Sequence, residues 1–126
     1  MGDPESNLTR ILLVDDDVPL ITLLAIGLKG YGFTVTTAGN GVEALRQYHA
    51  YCGNFSWIVT DAHMPQMDGL GFLREVRDVG YKGHVVLMSG HLSVEELRSY
   101  ADVNISGFFH KPFETQLLAT MLRTER

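Results

Sequence analysis

Asp15, Asp16, Asp61, Ser89 and Lys111 are the residues of this sequence best suited to chemistry, because each stands just after a short apolar run. Carboxylates gathered in one cleft repel one another, and each is costly unless a cation joins them. Oxygen-only donors suit a hard divalent ion. Mg²⁺ fits best, since it keeps several waters and takes few protein carboxylates, and Mn²⁺ is an acceptable substitute. An ammonium (Lys111) and a hydroxyl (Ser89) beside such a centre would bind a phosphoryl group. Lys111 would neutralise its oxygens and Ser89 would donate a hydrogen bond. Phosphoryl transfer needs mainly positioning and charge stabilisation, so these few groups suffice, with Asp61 as the nucleophile forming an acyl phosphate. Taken singly, an Asp-Asp pair is an ordinary exposed strand end, Lys111 a surface lysine and Ser89 a turn residue. Only a common location gives them a role.

The elements around them supply that location. Trp57-Ile58-Val59 reads as a buried strand that delivers Asp61 to its end before the chain turns at Pro65 and Gly69. Ile11 to Val14 is a first strand ending at Asp15-Asp16-Asp17. Asp17 caps a helix with Pro19 in its first turn, and Ile21, Leu24, Ala25 and Leu28 form its inward face. Phe33 to Thr37 is a second strand. Asn40 caps the next helix, in which Val42, Leu45 and one of Tyr48 or His49 are expected to look inward. A third helix is centred on Leu70, Phe72, Leu73 and Val76. His84 to Met88 is a fourth strand ending at Ser89-Gly90, and Ser93 with Glu96 forms the capping box of a fourth helix. Gly107 to Phe109 is a brief fifth strand, followed by Lys111-Pro112 and a last helix from about Phe113. Five strands alternating with five helices imply right-handed crossovers and an α/β fold, a doubly wound five-stranded parallel sheet in the order 2-1-3-4-5. Its switch point, between strands one and three, is where Asp15, Asp16 and Asp61 stand.

Composition narrows the class. The chain has 126 residues and a formal net charge of -5, with a sequence pI of 5.4, which argues against nucleic acid as a direct partner. Residues 1–9 are expected to be a flexible lead-in and residues 10–126 a single domain. A polar, acidic start is not a signal peptide, and the longest largely apolar stretch, Val18 to Leu28, is too short to span a bilayer. The single cysteine, Cys52, suits a reducing cytoplasm. A cytoplasmic protein with no membrane partner is the expectation.

In order, Asp15-Asp16, Asp61 with Met64-Pro65-x-Met67-Asp68-Gly69, Ser89-Gly90 and Lys111-Pro112-Phe113 closely resemble the receiver domain of two-component response regulators, CheY-like and flavodoxin-like in fold. The resemblance implies that Asp61 is the phosphoacceptor. Asp16 would hold Mg²⁺ directly, Asp15 through water, and the His63 backbone carbonyl would be a further ligand. Ser89 would be the switch hydroxyl, Lys111 the phosphate-pairing lysine and Phe108 the switch aromatic. It implies a cis peptide at Lys111-Pro112. The implied function is a signalling switch, not an enzyme with a separate substrate. It would take a phosphoryl group from a histidine kinase or a histidine phosphotransfer domain and alter the face made by the fourth helix, fifth strand and fifth helix. That face would serve an output domain or a homodimer. A patch of Leu20, Leu23, Pro112 and Phe113 would dock the histidine-bearing partner.

Departures from the common pattern are few. Ser89 stands where threonine is more frequent, and Phe108 has no hydroxyl to present at the surface. His63 and His91, each two residues beyond a site residue, read first as exposed loop histidines that could also tune the lifetime of the acyl phosphate. Other classes fare worse. A hydrolase of the haloacid dehalogenase type would want a second aspartate where His63 stands. A nucleotide-binding module would want a glycine-rich or hydroxyl-rich loop where Asp15-Asp16-Asp17 would repel phosphate. A binding-only pseudo-receiver remains the alternative, although such chains usually lose acidic or lysine positions that are present here.

Overall fold

A computed structural model describes residues 9–124 of the chain, so that the expected lead-in, apart from Thr9, lies outside the described residues. The first apolar run forms β1 (Arg10–Val14), in which Ile11, Leu12, Leu13 and Val14 are wholly buried. Unbroken burial is what a strand covered on both faces demands. β3 (Trp57–Asp61) and β4 (His84–Ser89) obey the same rule. β2 (Thr34–Ala38) and β5 (Gly107–His110) are only partly buried, because they are the edges of a parallel sheet in the order β2-β1-β3-β4-β5. The sheet order is the expected one.

Successive strand residues point to opposite faces, and this splits the interior into two cores. Ile11, Leu13, Trp57, Val59, Val86 and Met88 pack against α1 (Val18–Gly30) and α5 (Thr115–Thr124). Leu12, Val14, Ile58, Val85 and Leu87 face α2 (Gly41–Ala50), α3 (Gly69–Asp78) and the segment around α4 (Val94–Arg98). α4 buries none of its own residues. A 3₁₀ turn at Ala101–Val103 follows it, and there Val103 and the preceding Tyr100 reach the core.

Some local expectations shift. β2 starts one residue later than expected and α5 two residues later than Phe113. In α1 the inward face is as expected, while Leu20 is half-buried and Leu23 is 69% exposed. In α2 the buried residues are Gly41, Ala44 and Tyr48, whereas Val42 and His49 are exposed. At about 100° per residue, Val42 and His49 lie roughly a quarter turn off that stripe. Among the described residues no helix is long and apolar enough to cross a membrane.

Asp17, Asn40, Asp68 and Ser93 each cap the helix that follows by accepting a backbone N–H. These caps gather four helix N-termini at the rim where the strands end. Between Asp61 and α3 the chain doubles back tightly, and the Gly69 amide donates to the Ala62 carbonyl at 3.0 Å. A Cβ on Gly69 would collide with the Asp61 carbonyl oxygen. Gly69→Ala is therefore expected to cost about 1–3 kcal/mol in urea unfolding. It should also displace Asp61, read as a weakened thermal response of the protein to added Mg²⁺.

Candidate functional site

Parallel register determines which strand ends meet. Val14 of β1 lies opposite Thr60, and Asp61 lies opposite Met88. Ser89 pairs with His110, and the Lys111 amide donates to the Ser89 carbonyl at 2.8 Å. Four neighbouring strands thus deliver Asp15, Asp61, Ser89 and Lys111 to one rim. Asp15 and Ser89 are fully buried and Asp61 nearly so, while Asp16 is exposed.

Carboxylate oxygens of Asp15, Asp16 and Asp61 all lie within 4.8 Å of one another. The Lys111 ammonium donates to Asp15 Oδ2 at 2.6 Å and stands 3.3 Å from Asp61 Oδ2. The other Asp15 oxygen, Oδ1, accepts from the Asp17 amide at 2.9 Å. Burial pushes the Asp15 carboxyl above its ordinary value. Lys111 and the Asp17 amide oppose that shift, and the Asp61 charge adds to it. Burial alone would lower Lys111, but the hydrogen bond to Asp15 and the charges of both acids outweigh it and hold the ammonium above its usual range. One lysine serving two buried acids leaves the cluster short of positive charge. Buried Tyr100 feels this excess too: burial first, then the charges of Asp68 and Asp61, raise its hydroxyl.

Three hard oxygen donors of excess negative charge, open to solvent on the Asp16 side, could hold a hard divalent ion. Among the described residues this is the one such cluster of three or more His, Cys, Asp or Glu side chains. His49, His84 and His110 form none.

The other residues singled out by sequence fall into separate surroundings. The Ser89 hydroxyl is engaged away from the carboxylates: it donates to the His91 carbonyl at 2.9 Å and accepts from the His91 amide at 3.1 Å. Phe108 is half-buried and lines a groove of about 400 Å³ with Leu97, Tyr100 and Ile105, between α4 and β5. Pro112 is exposed and preceded by a cis peptide, as expected, and half-buried Phe113 meets Phe109 edge-on at 5.1 Å. Leu20 packs at the edge of the α1–α5 core while Leu23 points to solvent.

His63 and His91 are exposed, but His63 is not an idle loop residue. Its Nε2 lies 3.0 Å from the His91 carbonyl and 3.3 Å from Glu96 Oε2. Sequence reasoning had given Glu96 only its capping role. No spacing rule links positions 63 and 96, because the contact exists only once β3 and β4 lie side by side.

The chain matches the family model of the response regulator receiver domain over residues 11–123. It is 34% identical over 112 residues to the chemotaxis protein CheY of Pseudomonas aeruginosa, an alignment covering 86% of this chain and 89% of that protein. It is 30% identical to the transcriptional regulatory protein ZraR of Escherichia coli, where it spans 89% of this chain but only 25% of the relative. Among solved structures, the chemotaxis protein CheY4 of Vibrio cholerae superposes with a TM-score of 0.85 at 27% identity, covering 93% of this chain and 98% of the other.

The raised Asp15 carboxyl has a measurable consequence. A folded-state value above the ordinary one means that the folded protein prefers Asp15 neutral, so its charge lowers stability at neutral pH. Without divalent ions, Asp15→Asn is expected to raise the melting temperature at pH 7 by about 2–6 °C. That advantage should shrink as the pH falls through the raised value and vanish below the ordinary value of 3.8, where the wild-type carboxyl is neutral in both states. Added Mg²⁺ should raise the wild-type melting temperature more than that of the variant.

Proposed function

The chain belongs to the response regulator receiver domain family, and we propose that it is a phosphoacceptor switch in which Asp61 takes a phosphoryl group from a phosphohistidine. The observation that carries this reading is the Lys111 ammonium held between Asp15 and Asp61, with Asp16 alongside. A binding-only module would not need an acid triad, a lysine and a hydroxyl at one rim.

Asp61 is the group positioned to attack. A carboxylate oxygen bonds to phosphorus while the phosphorus–nitrogen bond of the donor breaks, and the departing imidazole keeps the electron pair and takes up a proton. When bound by Asp15, Asp16, Asp61 and the His63 carbonyl, Mg²⁺ would neutralise charge on the phosphoryl oxygens. Lys111 already lies 3.3 Å from the acceptor carboxylate. It exchanges part of its pairing with Asp15 and Asp61 for a phosphoryl oxygen. Ser89 lets go of the His91 backbone and donates to another. Later hydrolysis by water breaks the new oxygen–phosphorus bond and resets the site.

The added charge, about -1.5 to -2, biases a two-state element. As Ser89 moves towards the phosphoryl group, Phe108 follows inward from its half-buried place in the α4–β5 groove. The face made by α4, β5 and α5 changes shape, which suits an output domain or a second copy as reader. The donor is a histidine kinase or a histidine phosphotransfer domain. Exposed Leu23 and Pro112, with half-buried Leu20 and Phe113, are the apolar residues on which its helices would dock.

Incubation with acetyl phosphate and Mg²⁺, read by intact mass, tests the reading. The wild type is expected to gain a single phosphoryl group. Asp61→Asn, or wild type with EDTA, should gain none. Failure of the wild type to be labelled beside a competent control receiver would leave a binding-only module.

A further inference from the structure

We propose that the His63 side chain is a positioning residue for Ser89, a strap from the β3–α3 loop across to the β4–α4 loop that holds Ser89 in its resting arrangement. This rests on the switch reading above and names a control on it.

The strap is a single imidazole N–H shared between two acceptors, the His91 carbonyl at 3.0 Å and Glu96 Oε2 at 3.3 Å. The same His91 carbonyl accepts the Ser89 hydroxyl at 2.9 Å. Both of its lone pairs are thereby used, one by the switch hydroxyl and one by the strap. The Ser89 hydroxyl has one proton, and it is committed to His91. To donate to a phosphoryl group it must abandon that carbonyl, and the short segment from Ser89 to His91 must shift towards Asp61. His63 grips the far end of that segment.

Glu96 makes the grip firm. Its Oε1 accepts the Ser93 amide at 3.0 Å and its own amide donates to Ser93 Oγ at 3.0 Å. The carboxylate is already ordered by the capping box, so His63 ties to a side chain held against the start of α4 and not to a freely rotating one. The rest of α4 offers the loop little else. Its five residues, Val94–Arg98, include none that is buried.

Beyond α4 the chain is held from elsewhere. Arg74 binds Asp102 and the Ser99 carbonyl, and Arg77 donates to the carbonyls of Val103 and Asn104. The lightly packed, movable part is thus the N-terminal end of α4 and the loop before it, where His63 attaches. A side chain that restrains this end favours the resting state, and cutting it shifts the population towards released Ser89.

The test compares wild type, His63→Ala and His63→Gln by two readouts. The first is the initial rate of phosphoryl gain from acetyl phosphate with Mg²⁺. The second is amide hydrogen exchange between Gly90 and Glu96 in the unphosphorylated protein without metal. Loss of one shared hydrogen bond should speed both by about three- to tenfold in His63→Ala. His63→Gln, whose amide nitrogen reaches about the same position as imidazole Nε2, should restore both towards wild type. An unchanged or slower labelling rate in His63→Ala, with Asp61 still labelled in the wild type, would overturn the strap while leaving the switch standing. Unchanged exchange would overturn it independently. Absence of labelling in the wild type would instead defeat the switch reading, and exchange alone would then decide whether the strap exists.

Discussion

Negative charge gathered at one buried rim is the constraint on which the rest of this structure turns. Asp15 and Asp61 are brought out of water by strands that must be covered on both faces, and Asp16 stands beside them. Lys111, arriving from the sheet's edge strand, is shared between the first two. Burial makes Asp15 resist ionisation, which the shared ammonium only partly offsets, and the two acids together make Lys111 cling to its proton. Such a site favours a cation that shares its charge. Under the proposed switch reading, the same electrostatics that destabilise the rim would serve its function.

The surrounding fold is unevenly stiff, and the unevenness has a pattern. Two cores clamp the sheet from either side, and Arg77 ties the end of α3 to carbonyls at Tyr81, Gly83, Val103 and Asn104. α4 is short and unburied by comparison. A segment with few apolar contacts can be moved by the exchange of one or two hydrogen bonds, whereas a packed strand cannot. Ser89 sits at the junction of the two regimes. It is the last residue of a rigid strand, and its hydroxyl is engaged with the first turn of a loose loop. Under the proposed switch reading, change at the carboxylates would reach α4 and the Phe108 groove before the cores.

Much of this is legible in the sequence. The capping box of Ser93 and Glu96 and the caps at Asp17 and Asn40 lie within four residues of their partners, so local pattern sufficed. The apolar runs that became β1, β3 and β4 were legible because a strand buried on both faces has no polar alternation to confuse its signal. Val42 was misplaced because one apolar residue in a mostly polar helix does not settle the helix's phase; Ala44 and Tyr48 did so by packing. His63 was read as a loop histidine because its partners stand 28 and 33 positions away, beyond any periodic rule.

By itself the sequence determined which elements form, their order and the residue types at each strand end, since these follow from short-range hydrophobic pattern, capping and turn chemistry. The order of occurrence of Asp15, Asp61, Ser89 and Lys111 was enough to assign one rim, because parallel crossovers return every strand in the same direction. Only the tertiary structure decided how charge is shared among them and which hydroxyl proton is already spoken for. It also decided that a histidine beyond Asp61 reaches across to a glutamate in α4. Those outcomes depend on distances of a few ångströms between side chains far apart in the chain. Such distances are set by strand register and helix packing, and no local pattern encodes them.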